Sequence, residues 1–191
     1  YIFKDQQDYL QYSRKLFNES PTTPYGYYRS DDSVVVVNGA TGNGTLVHEM
    51  VHALIDSDFP QMPTWFNEGL AALFEESRVE VGKIVGMNNW RYPIFKQAIA
   101  AKSFVNLEEL MKKSNEEFYD DRDGFNYAES RYFCYYLQQR GLLIPFYKRF
   151  RENIEKDPHG IETLKEVLGK ELEEVEADWL EWATVSVYQK R

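Results

Sequence analysis

The sequence predicts an α+β domain: a small N-terminal sheet packed on one central helix, followed by a mainly helical C-terminal half. Three observations predict it. Val34, Val35, Val36 and Val37 form a β-branched run too short for an ordinary helix, and a Gly-Tyr-Tyr segment stands shortly before it. From Trp90 onwards the apolar residues recur at helical spacing. The chain has 191 residues, 43% of them hydrophobic and 16% aromatic, which suffices for one core without disulfides. A single domain over residues 1–191 is expected, with its strands within about 1–60 and its helical part over about 61–191.

In chain order, residues 1–3 read as a short strand and 5–17 as a helix, stopped by Asn18-Glu19-Ser20-Pro21. Strands are expected at 25–29 and 33–38, on either side of the turn-forming Ser30-Asp31-Asp32. Gly39-Ala40-Thr41-Gly42-Asn43-Gly44 is a flexible link into the next helix, with Asn43 or Thr45 able to cap it. Pro60 and Pro63 bracket a turn, after which Thr64 is the expected N-cap of a further helix. Residues 79–87 fit a short strand pair or a lid. Helices follow over 90–101, 107–112, 125–140, 143–153, 162–168 and 172–188, with Gly141 and Gly169 as stops. Asp120-Asp121-Arg122-Asp123-Gly124 reads as an exposed loop that lacks the full EF-hand calcium pattern.

His48-Glu49-Met50-Val51-His52 carries the most chemistry, for two of the chain's three histidines stand here. Side chains four apart on an α-helix share a face, so His48 and His52 can turn ring nitrogens to one ion. Glu49 lies about 100° round from His48, near enough to hold a water at that ion yet turned away from ligation. That placement suits a general base. Downstream, Trp65-Phe66-Asn67-Glu68-Gly69-Leu70-Ala71 offers Glu68 as a third ligand. Two imidazoles and one carboxylate leave a position open at a zinc ion, which distinguishes a catalytic site from a closed structural one. The pattern points to a metallohydrolase with one Zn2+, and most simply to a peptidase.

A helical wheel sharpens this reading. Leu46, Val47, Met50, Val51, Leu54 and Ile55 fall in one half-circle, and His48, Glu49, His52 and Asp56 in the other. The apolar set is therefore expected to face the core. Around Glu68, the bulky Phe66, Leu70, Leu73 and Phe74 cluster opposite, while Ala71, Ala72 and Glu75 flank it, so small residues would let the two helices approach. Glu75 or Asp56 could accept the second N–H of a ligand histidine and fix its ring.

HEMVHALID followed by PTWFNEGLAALFE resembles the gluzincin branch of the zinc metallopeptidases, and within it the small bacterial peptidase-MA-like domains. The stretches YIFKDQQDYLQYSRKLF, the GYY segment, the valine strand, YAESRYFCYYLQQRG and LKEVLGKELEEVEADWLEWA are similar to the same pattern, so the likeness covers most of the chain. The resemblance implies a zincin-like fold, His48, His52 and Glu68 as zinc ligands, and Glu49 as catalytic base. It also implies an oxyanion donor downstream, for which Tyr127 is the first candidate, with Arg131 following on the same face. Aromatic packing is the competing role for Tyr127 in a chain with fourteen tyrosines. His159, in Asp157-Pro158-His159-Gly160, is a weaker candidate and reads as a surface-turn residue. In zincins a strand edge beside the metal binds extended peptide, a part open to either the valine strand or the GYY strand. The fifteen residues between His52 and Glu68 are fewer than in thermolysin-like enzymes, so no substrate preference carries over.

Cys134, between Phe133 and Tyr135, sits where a buried, inert thiol is expected, and no histidine or second cysteine stands near it in sequence. Lys and Arg total 22 against 31 Asp and Glu, a formal net charge of -9, which argues against nucleic acid as a partner. No apolar run approaches a membrane span and no signal-like N-terminus is present, while a first residue of tyrosine leaves room for a removed leader. The resemblance favours a location outside the cytoplasm. A peptide or protein is the expected substrate. Two rival readings stay open: a catalytically idle zinc-binding scaffold, against which the presence of Glu49 argues, and an amidase acting on cell-wall peptide.

Overall fold

The protein is described here by a computed structural model covering residues 1–101 and 103–185. Its elements are β1 (Ile2–Phe3), α1 (Gln6–Phe17), β2 (Gly26–Arg29), β3 (Val34–Asn38), a 3-10 turn (Gly39–Thr41), α2 (Asn43–Asp58), α3 (Thr64–Phe74), β4 (Ser77–Glu80) and β5 (Lys83–Gly86). After them come α4 (Tyr92–Ala100), α5 (Leu107–Lys112), α6 (Asn115–Tyr119), α7 (Phe125–Gln139), α8 (Leu143–Asn153), α9 (Ile161–Leu168) and α10 (Leu172–Val185). The class is α+β, with strands early and helices late. The last expected helix was to run to residue 188, and its final three positions lie outside the described residues.

β3 is the centre of a three-stranded sheet of order β1-β3-β2, parallel to β1 and antiparallel to β2. The valine strand therefore has both edges paired, and the free edge beside α2 belongs to the GYY strand. Asn38 N–H donates to the Tyr25 carbonyl at 2.8 Å, and Val37 N–H to the Tyr1 carbonyl at 2.9 Å, so alternate residues of β3 serve its two neighbours. By that alternation Gly26 and Tyr28 turn their own N–H and C=O outward, away from β3. Side chains alternate too: Tyr27 stands 6.1 Å from the Tyr9 ring of α1, while Gly26 and Tyr28 face α2. The sheet is thus held between α1 and α2.

α3 crosses the middle of the molecule between α2 and α7. The close approach that small residues permit is made to α7 at Gly69, where an added Cβ would lie 2.8 Å from Cys134 Sγ and 2.9 Å from the Ser130 carbonyl oxygen. One apolar cluster runs from Ile55 to Ala183, and Cys134 is buried in it as a free thiol. Its aromatic centre stacks Phe95 5.0 Å from Tyr132 and 5.4 Å from Trp179. No helix among the described residues is long and apolar enough to cross a membrane.

Several expectations need correction. The N-cap of α2 is Gly42, at φ 96°, and no side chain among the described residues caps the helix; Asn43 is already helical and Thr45 pairs with Thr41 instead. A backbone angle that favours glycine takes the place of a capping side chain. Pro63, extended at ψ 152°, is the N-cap of α3, so Thr64 enters the helix and its hydroxyl bonds to Asn115. On α2 two of the six residues of the supposed core stripe lie outside, Met50 50% and Leu54 68% exposed, while His48 and Glu49 are buried. Sheet and α3 cover the polar side of the helix, a choice of neighbours that a wheel does not contain. Between the alternatives for residues 79–87 the strand pair is the one formed, turning at Val81 and Gly82, both at positive φ. α6 was not expected at all; a capping box starts it, Ser114 Oγ accepting Glu117 N–H at 3.3 Å and Glu117 accepting Ser114 N–H at 2.8 Å.

Gly69→Ala should lower stability by about 1–3 kcal/mol through overpacking, read as a lower urea midpoint at unchanged slope. Glu129, fully buried on α7, accepts Val105 N–H at 3.4 Å through one oxygen and has no partner for the other among the described residues. Burial pushes its carboxyl up from 4.5 to about 8. A carboxyl raised on folding stabilises in its neutral form, fully below pH 4.5, and loses that contribution as pH rises through 8. Glu129→Gln should therefore be more stable than the parent protein above pH 8, with the gap closing towards pH 4.5 in urea titrations across pH.

Candidate metal centre

The rings of His48 and His52 stand one turn apart on α2, 4.7 Å between centroids. α3 brings Glu68 against both: its Oε2 lies 3.2 Å from His48 Nε2 and 3.6 Å from His52 Nε2. The three donor atoms lie within 4.8 Å of one another, the one such group of His, Cys, Asp or Glu among the described residues. Tetrahedral ligands at about 2.05 Å from an ion are about 3.3 Å apart, so the spacing suits a single small cation.

Each donor is fixed from behind. His48 Nδ1 donates to Glu75 Oε1 at 2.9 Å, His52 Nδ1 to Asn67 Oδ1 at 2.7 Å, and the Tyr119 hydroxyl donates to Glu68 Oε1 at 2.6 Å. Carboxylate and amide oxygens only accept, so both Nδ1 atoms carry hydrogen and both rings offer Nε2 inward. Lone pairs from two rings and one carboxylate then meet at one point, and a cation relieves that repulsion. Burial disfavours charge on His48, yet hydrogen bonds to Glu68 and Glu75 outweigh it and hold its pKa up at about 10. Glu68, which burial alone would raise, is brought down to about 2 by His48, His52 and Tyr119. For His52 burial prevails and the pKa falls. A proton on His48 and a divalent cation answer the same demand, but only the cation serves all three donors.

Glu49 is 7% exposed and makes no side-chain hydrogen bond among the described residues. Burial pushes its carboxyl up to about 7, opposed by charge on His48 and aided by Glu68 and Glu75. It stands under the free edge of β2, where a Cβ on Gly26 would come 3.2 Å from its Cγ. The cleft here encloses about 1310 Å³.

Other expected residues divide. Glu75 takes the outer role on His48 and is itself gripped by the Arg91 guanidinium and by Asn89. Asp56 does not reach a histidine; it accepts the Tyr28 hydroxyl at 2.8 Å. Tyr127 lines the cleft, half-buried, with Arg91 5.7 Å from its ring centroid and Phe118 5.3 Å away. Burial first, then the charge of Glu68, raises its pKa, so the phenol stays protonated as a donor. Arg131 belongs behind the site: fully buried, it donates to the Ala72 carbonyl at 3.0 Å and to the Met87 carbonyl. His159 is half-buried in its turn and bonds to the Met111 carbonyl at 3.2 Å, away from the cleft. The Asp121 carboxylate accepts Asn126 N–H at 2.6 Å at the start of α7.

Three functional contacts escaped the sequence reading. Asn67, inside the Asn-Glu-Gly-Leu motif, was visible there as an amide beside a ligand. Tyr119 sits on the unforeseen α6 and carried no signal among the tyrosines. Arg91 is placed by a loop that α7 pins, through Arg131 on Met87 and through Tyr132, whose hydroxyl donates to Asn88 Oδ1 at 2.5 Å.

Fold and site together define a class by geometry: an α+β protein with a His, His, Glu group spaced to share a metal ion. Comparison with protein-family models, with curated proteins and with solved structures finds no match to this chain.

Equilibration with a divalent transition metal and dialysis should leave about one ion per chain, measured by elemental analysis, and His52→Ala or Glu68→Ala should remove it. Glu75→Gln should weaken binding by about tenfold to a hundredfold in competition with a fluorescent chelator.

Proposed function

We propose that this protein is a zinc-dependent peptidase of the zincin-like, gluzincin type, working outside the cytoplasm. The observation that carries the reading is the pairing of a three-donor group with Glu49, a buried carboxylate beside it that is not one of the three donors and has no side-chain hydrogen bond among the described residues. His48, His52 and Glu68 would hold the ion, and the outer contacts from Glu75, Asn67 and Tyr119 orient them. When bound, zinc acidifies a water to near neutrality and polarises a carbonyl.

The remaining work falls to the chain. Glu49 takes a proton from water at one carboxylate oxygen and returns it to the leaving amine nitrogen. The Tyr127 hydroxyl, kept protonated by burial, donates to the oxygen on which negative charge develops. Gly26, over Glu49, and Tyr28, over Asp56, turn N–H and C=O groups outward and offer an edge on which extended peptide backbone pairs antiparallel to β2. β3 is excluded from that part because both its edges are occupied.

A peptide library incubated with the zinc-loaded protein should show cleavage that a chelator stops and added zinc restores. Glu49→Gln should keep the metal and lose about a thousandfold or more in kcat, within the range for a missing general base. Metal binding without turnover in the parent chain would instead favour the idle scaffold, and turnover confined to cell-wall peptides the amidase. Tyr127→Phe should lower kcat by about a hundredfold with little change in KM; an unchanged kcat would leave Tyr127 a packing residue.

A further inference from the structure

The cleft continues past His52 along α2. Asp56, one helical turn beyond His52 on the same face, enters it together with Tyr28, Ser30 and Pro60. One carboxylate oxygen accepts the Tyr28 hydroxyl; the other has no partner, and no basic side chain pairs with Asp56 among the described residues. Arg29, next to Tyr28 in sequence, alternates to the far face of the sheet, where Glu19 and Asp32 hold it over the Phe17 ring at 4.9 Å. It does not compete.

The charge of the whole cleft has the same sense. Among the described residues Glu49, Asp56, Glu68, Glu75 and Glu76 line it, against the single guanidinium of Arg91, which Glu75 already engages. A divalent ion among them still leaves the wall negative. Register then gives direction. The free edge of β2 runs from Gly26, over Glu49, to Tyr28, over Asp56. A peptide added antiparallel to this edge runs the opposite way, so its residue facing Tyr28 lies two positions to the amino side of the one facing Gly26.

We propose that Asp56, backed by the Tyr28 ring, is a subsite for a cationic group carried on the amino-terminal side of a bound peptide, about two residues before the one that faces Gly26. The cation is an ammonium or guanidinium, from a lysine or arginine side chain or from a free α-amino group. The proposal rests on the peptidase reading for the peptide's path along β2, and the carboxylate and aromatic ring supply the recognition.

The test measures binding, so that it stands apart from hydrolysis. Zinc-loaded Glu49→Gln protein is titrated into fluorescent, acetyl-capped heptapeptides in which a single lysine replaces norleucine at each position in turn. At one position lysine should tighten Kd by about tenfold, an advantage that shrinks as salt is added. Adding Asp56→Asn, which still accepts the Tyr28 hydroxyl, should abolish that advantage while leaving the norleucine Kd and the bound zinc unchanged. Asp56→Lys should shift the preference to glutamate at that position. If instead only uncapped peptides gain, and lose the gain in Asp56→Asn, the recognised cation is the α-amino group. Equal binding of lysine and norleucine peptides, capped and uncapped, overturns the subsite, as does a preference that survives Asp56→Asn. Lysine preference lost in Asp56→Asn, in a parent protein that cleaves no peptide, overturns only the catalytic reading.

Discussion

Two imidazole nitrogens and a carboxylate oxygen are brought together where α2 meets α3, and buried lone pairs repel unless positive charge stands among them. That requirement organises the centre of the molecule. Glu75 and Asn67 take up the outer ring hydrogens and Tyr119 the other oxygen of Glu68, so each donor has a single direction left. The elevated pKa of His48 and the depressed one of Glu68 are the same fact seen from two sides.

Holding these groups in place is work for the helical half. α3 can carry Glu68, and Glu75 just past its end, into the cleft because Gly69 lets another face of the helix sink onto α7. From α7, Arg131 and Tyr132 reach over to fix the loop that ends in Arg91, and Arg91 closes on Glu75. A chain of contacts thus joins the buried aromatic core to a ring nitrogen of His48. Such outer contacts are where metal affinity and ring orientation are set.

Much of this was legible in the residues themselves. The i, i+4 histidines, the intervening glutamate and the later Glu68 announced the donor group, and Gly141 and Gly169 marked helix ends, because spacing and turn chemistry are local properties. Glu75 was readable as an outer partner from its place two turns along from Glu68. α6 was not, since five residues hold too little periodicity to register, even with Ser114 and Glu117 framing a capping box. Nor was the orientation of α2: amphipathicity showed two faces, but the polar one went inside because the sheet and α3 happen to cover it, leaving Met50 and Leu54 in water.

By itself the sequence determined the class of secondary structure, the positions of most helices and strands, and which side chains could serve as donors and base, all of them matters of short-range geometry. Only the tertiary structure decided that Tyr119 and not Tyr127 hydrogen-bonds to Glu68, that Arg131 is a buried brace, and that the free strand edge is the tyrosine strand and not the valine one. Those outcomes depend on which elements become neighbours. Strand order and helix packing are settled by the burial of the whole core, which no window of the chain contains.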